Sequence, residues 1–117
     1  MTEEQIARVV HEANRALQVE QDDETIPVSS HWDELDDETK GSAIEGVKNV
    51  MRGTTPEGSH QSWCTYKFDH GWTLGPVKDE EKKEHPLLVP YDQLPPSQQV
   101  KDRLFIDIVR ALTDITD

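Results

Sequence analysis

Residues 60–67 bring together side chains that can hold an anion beside a flat ring. If the stretch from Pro56 to His70 is helical, steps of about 100° per residue put His60, Trp63, Cys64 and Lys67 on one side, with His70 at its margin. An indole offers a stacking surface worth roughly 1–3 kcal/mol per base, and Lys and imidazole N–H groups meet phosphate oxygens, so the set suits a nucleotide-like small molecule. The competing account is structural: Trp63 anchors the core and Lys67 is solvated, because Trp is ordinarily well buried. Trp72 and Tyr91 carry the same ambiguity between core and pocket wall. Trp72 stands beside Gly71 and close to Gly75, where small residues permit close backbone approach. The mixed-sign run from Lys78 to Glu84 reads as solvated surface, although Lys78 or Lys82 could close over an anionic ligand. With His85, the candidate ligand-contacting residues are Trp63, Lys67, His60, Trp72, Lys78, His85 and Tyr91.

Metal and catalytic chemistry find less support. The histidines at 11, 31, 60, 70 and 85 show neither H-x₃₋₅-H nor H-E-x-x-H spacing, and a single cysteine cannot supply a thiolate-rich zinc site. His60 and Cys64 lie one helical turn apart, which is the spacing of a thiolate–imidazole couple, but no orienting carboxylate or oxyanion hole accompanies them. Glycine-rich phosphate loops and the nucleophile elbow G-x-S-x-G are absent. The expectation is a non-enzymatic binding protein with no metal and no cofactor.

Four helices must position these residues. Thr2 and Gln5 have capping-box spacing ahead of Ile6, Val9, Val10, Ala13 and Leu17, giving a helix over about residues 3–18. An acidic connector ending at Pro27 follows, then a box-like Ser30 and Asp33 that start a single turn carrying Trp32 and Leu35. Asp36 caps a helix over about 37–52, with Ala43, Ile44, Val47, Val50 and Met51 on one face before Gly53. Thr55 and Pro56 open the third helix, over 56–70, and Gly71 closes it. Residues 72–74 and 87–89 read as short strands forming an antiparallel pair. Pro95 and Pro96 introduce a last helix over about 97–114, with Val100, Leu104, Phe105, Ile108, Val109 and Leu112 on a broad buried face. The fold class is mainly α, of the α+β type: a compact helical domain over 1–117, its core at about 5–112.

Length and charge bound the rest. At 117 residues there is room for one core. The net charge of −12 argues against general nucleic-acid binding, which draws its affinity from Lys and Arg neutralising phosphates. The charge is unevenly spread. Residues 1–40 carry 12 acidic and 3 basic side chains, whereas residues 56–86 carry 6 acidic and 4 basic plus three histidines, so an anion would choose the second segment. The polar start, the lack of any long apolar run and the lone Cys64 lead to the expectation of a soluble cytoplasmic protein without membrane association.

In order along the chain, the segments at His11 to Arg15, Ser42 to Val47, His60 to Trp63, Gly71 to Asp79 and His85 to Tyr91 resemble the RyR domain, the repeat found in ryanodine receptors and in single-domain bacterial or phage proteins. The blocks G-W-x-x-G-P-V-K/R-D and H-P-x-L-V-P-Y are specific when they occur together at this spacing. The resemblance implies a helical fold with a short β pair. In ryanodine receptors two such repeats pack with pseudo-two-fold symmetry, and the pair can hold an adenine nucleotide between aromatic side chains from both. By motif, the stacking position falls on Trp63 and the cationic position on Lys67. A chain with one repeat is then implied to form a homodimer whose two Trp63 side chains face a shared site. Bacterial relatives beside nucleotide-signalling and conflict systems imply sensing or sequestering of a nucleotide-derived ligand. The alternative is a protein-interaction or oligomerisation module that uses the same aromatic face without a small ligand.

Overall fold

In the computed structural model, which describes residues 1–115, the helices begin where their caps place them. Helix α1 spans Glu3–Gln21, and the Thr2 hydroxyl accepts from Gln5 N–H while the Gln5 side chain accepts from Thr2 N–H, a complete capping box. Helix α2 spans Asp37–Met51, opened by Asp36 Oδ1 accepting from Thr39 N at 2.7 Å. Helix α3 spans Pro56–Asp69, with Thr55 Oγ1 accepting from Gly58 N and Pro56 in the first turn. Gly71, at φ +88°, follows α3 in the left-handed region that other residues avoid. Helix α4 spans Pro96–Ile115. Residues 116 and 117 of the expected domain lie outside the described residues.

Helices α1, α2 and α4 bury one apolar cluster made of Ile6, Val10, Trp32, Val47, Ile106, Val109 and neighbours, with Val47 and Val109 fully enclosed. Their stripes are narrower than the periodicity predicts. Val9, Met51, Val100 and Leu104 are exposed, whereas Ile106 is buried. Trp32 reaches the cluster from a 3-10 turn at Trp32–Glu34, as expected of that segment, although no side chain caps the turn. Glu12 of α1 holds this turn in place: its carboxylate accepts from Trp32 N at 3.0 Å and pairs with His31 at 2.9 Å.

A second, smaller cluster of Cys64, Trp72 and Leu88, with Trp63 against it, forms around α3 and the segment that follows. Here the expected β pair is corrected in two respects. Strand β1, Thr73–Leu74, pairs with β2, Glu84–His85, and the pairing is parallel. Residues 87–89 form no strand. The chain does reverse after Gly75, but it reverses again within residues 79–84, where Asp79 and Glu84 exchange backbone hydrogen bonds in an antiparallel bridge. Two reversals bring β2 back in the direction of β1. Gly75 is required at this junction, because a Cβ there would sit 2.6 Å from the Cβ of Glu84.

Among the described residues, no helix is long and apolar enough to cross a membrane.

Candidate functional site

Helix α3 turns an unusual face inward. Its buried residues are His60, Cys64 and Lys67, spaced i, i+4 and i+7 along one stripe where a structural helix would carry Leu or Ile. Lys67 is 7% exposed and His60 5%, so burial of these polar groups works against stability unless they serve another purpose. The consequence is that the two apolar clusters do not merge. Between them lies a cleft of about 330 Å³, walled on one side by Val10, Ala43 and Phe105 of the first cluster and on the other by Trp63 and Trp72 of the second. All of these walls come from one chain.

Three lysines enter it. Lys67 rises from α3, its Nζ 4.7 Å from the centre of the Trp72 ring. Lys78 comes from the charged segment that the sequence reads as solvated surface. Its backbone N–H donates to Thr25 O at 2.8 Å and its Nζ to Ser29 Oγ at 3.0 Å, which pins that segment across the chain. Lys101 belongs to α4. Burial lowers the proton affinity of all three below the ordinary lysine range, and for Lys67 the charge of Lys78 adds to the effect. Among the described residues none of the three has a carboxylate within ion-pair distance, although the chain as a whole carries a net charge of −12. Lys83 behaves differently: it bridges Glu38 at 3.3 Å and His70 O at 2.8 Å, so it is a structural cation, and Lys82 stays exposed.

The rings are fixed by their partners. His60 Nε2–H donates to Val89 O at 2.7 Å, and its ring stacks on Trp63 with centroids 5.6 Å apart. Trp63 in turn meets the edge of His85 at 4.9 Å. His85 Nδ1 accepts from Leu87 N, and burial, then the charges of Lys78 and Lys67, push its pKa down to about 3, so the ring is neutral at physiological pH. Trp63 is half-buried and borders the cleft. Trp72 is 5% exposed, with its Nε1–H donated to Glu38 Oε2, so it serves as both core and wall.

Of the residues singled out in the sequence, His60, Trp63, Lys67, Trp72, Lys78 and His85 all border this one cleft. Tyr91 does not line it. Its ring lies 6.2 Å from that of His60, and its hydroxyl is buried with no hydrogen-bond partner among the described residues. Lys67 is deeply buried, which removes the solvated-lysine alternative. Cys64 sits 3.4 Å from His60 Nε2, but burial pushes its thiol up to about 11, so it stays a thiol at physiological pH and supplies no nucleophile. Among the described residues no group of three or more His, Cys, Asp or Glu is placed to hold a metal ion.

Sequence reasoning missed Gln98, Lys101 and Asp102, the α4 wall of the cleft. The signal was present. Followed N-terminally from Ile108 and Phe105, which also border the cleft, by steps of three and four, the inward stripe of α4 turns polar at Asp102, Lys101 and Gln98.

A family model described as RyR domain matches residues 38–115, two thirds of the chain. The match takes in α2, α3, α4 and most of the cleft, and it leaves α1, with the His11 to Arg15 segment, outside.

Proposed function

This chain belongs to the RyR domain family, and from that premise we propose that it is a non-enzymatic cytoplasmic binding module that senses or sequesters a nucleotide-derived small anion. The ligand enters the cleft between the two apolar clusters, lays its flat ring against Trp63, and brings its phosphate oxygens to Lys67 and Lys78, with His60, Trp72 and His85 completing the walls. The observation that carries this reading is the set of three lysines, Lys67, Lys78 and Lys101, drawn into one cleft where, among the described residues, none is ion-paired, although Glu80 and Asp102 also border it. Such a group costs stability in the empty chain, and a bound anion recovers that cost. The volume of about 330 Å³ lies at the small end of ligand pockets. The acidic exterior repels long polyanions, and a small anion is the partner that can pass it.

Because one chain walls the cleft, the site binds one ligand per chain. A homodimer that brings two Trp63 side chains together adds to such a site without being needed to form it. The protein-interaction alternative has less behind it, since Trp63 borders a concave, largely apolar space that three lysines enter rather than a flat face. Isothermal titration calorimetry with AMP, ADP, cyclic AMP and ADP-ribose, read alongside the melting temperature, tests the proposal. Saturable binding near one per chain with a raised melting temperature supports it; a flat response across the whole panel refutes it.

A further inference from the structure

Ser29 stands on the connector between α1 and α2 and borders the cleft beside Lys78. Almost every polar group it carries is already engaged. Its backbone N–H donates to Gln18 Oε1 at 2.8 Å, and its carbonyl accepts from Arg15 Nε at 2.8 Å. Its hydroxyl oxygen lies 3.2 Å from Gln18 Nε2 and 3.0 Å from Lys78 Nζ. The Ser29 N–H fixes which end of the Gln18 amide is the oxygen, so the other end is the NH₂ group, and a lysine ammonium has no lone pair. Both neighbours therefore donate to Ser29 Oγ and fill its two lone pairs. The Oγ–H hydrogen is left over, and among the described residues no acceptor is placed to take it. Gln18 is buried, so the α1 side holds Ser29 in place before any ligand arrives, and the open space that Ser29 borders is the cleft.

We propose that Ser29 is a ligand-binding residue: its Oγ–H and the Lys78 ammonium converge on one ionised oxygen of the ligand's phosphate group. A hydroxyl whose lone pairs are both taken can only donate, and an ammonium can only donate, so the pair selects a group that only accepts. An ionised phosphate oxygen meets that condition. The two hydrogen bonds that Ser29 Oγ accepts also polarise its O–H and make it a stronger donor. This deepens the functional reading above and rests on it. It brings α1 into the site, with Gln18 and Arg15 as positioning residues that aim Ser29. All three precede residues 38–115, which the family model matches, so this part of the site lies outside the matched segment.

Calorimetric titration of the full chain and of Ser29→Ala with AMP and with adenosine, which lacks the phosphate, tests the proposal. Ser29→Ala should weaken AMP by about tenfold or more and leave adenosine unchanged, so the preference for AMP falls by the same factor. The loss should persist in a Lys78→Met background; if it vanishes there, Ser29 acts only by holding Lys78, and direct donation is overturned. If Ser29→Ala folds and keeps the full preference, or weakens both ligands equally, the assignment to Ser29 is overturned while the anion site stands. If Ser29→Ala does not fold, the wild type decides. In proton–nitrogen NMR spectra the Ser29 backbone N–H and the Gln18 side-chain NH₂ signals should move saturably with AMP and stay still with adenosine, and signals unmoved at saturating AMP overturn the proposal. If neither compound binds wild type, this inference and the functional reading fall together.

Discussion

Replacing Lys67 with Met separates a residue kept for a ligand from one kept for the fold. The side chain is 7% exposed, makes no ion pair among the described residues, and sits where burial disfavours its charged form more than the nearby carboxylates of Glu38, Asp36 and Glu80 favour it. Met preserves the length of the stem and its packing along the second apolar cluster while deleting the ammonium. Two terms oppose each other in the empty protein. Removing a buried charge that makes no ion pair is worth about 1–4 kcal/mol by analogy with buried ion pairs replaced by apolar residues. Losing the cation–π contact with Trp72, at 4.7 Å, gives back about 1–2 kcal/mol. The balance favours the variant by about 1 kcal/mol, equivalent to a rise of about 4 °C in melting temperature for a domain of this size. Binding moves the other way: loss of one charge-assisted hydrogen bond to a phosphate oxygen, about 1.5–3 kcal/mol, weakens AMP by roughly 10- to 150-fold. The assay is a melting curve of the ligand-free variant beside a calorimetric titration. A stabler protein that binds worse is the signature of a functional charge. A variant that melts several degrees lower and binds AMP as wild type does would show that Lys67 is structural, and the reasoning would fail.

Other consequences are open to measurement. Trp63→Ala should weaken AMP by roughly 5- to 150-fold, the worth of one stacked base, and abolish ligand-induced indole quenching, with helix content by circular dichroism unchanged. The His85 ring, pushed down to about 3, sits below its ordinary value near 6.5, so the unfolded chain takes up the proton first; stability falls as pH drops through 6.5 towards 3, by at most about 1.4 kcal/mol per pH unit, and His85→Gln should flatten that decline in urea midpoints. Asp102, raised to about 6 from 3.8, acts in the opposite sense, since its contribution is present below 3.8 and lost as pH rises through 6; Asp102→Asn should therefore steepen the acid decline. Gly75→Ala forces a Cβ to within 2.6 Å of Glu84 Cβ and should cost about 1–3 kcal/mol in chemical denaturation, with the strain confined to the β1–β2 junction.

What the sequence announced and what it hid divide along physical lines. Helix starts were legible because caps are local: Thr2, Asp36 and Thr55 each satisfy backbone N–H groups within three residues of themselves. The direction of the β pair was not, because it depends on a second reversal at residues 79–84, inside a run whose composition says only that it is charged. That same run concealed the burial of Lys78, which is fixed by Thr25 and Ser29 some fifty positions earlier in the chain. The α3 side of the cleft was readable, since His60, Trp63 and Lys67 share a face at helical spacing. The α4 side was overlooked because apolar periodicity drew attention to Val100 and Leu104, both exposed, and away from the polar stretch of the inward stripe at Gln98, Lys101 and Asp102.

The three tryptophans make the decisive measurement simple. Trp63 and Trp72 border the cleft, while Trp32 is packed in the other cluster and serves as an internal reference. In a two-dimensional proton–nitrogen NMR titration with AMP, a lysine-lined cleft that accepts a nucleotide predicts saturable movement of the Trp63 indole resonance, accompanied by that of Trp72, with Trp32 fixed. Three indole signals that stay where they are at millimolar AMP, or that drift together without saturating, would contradict it.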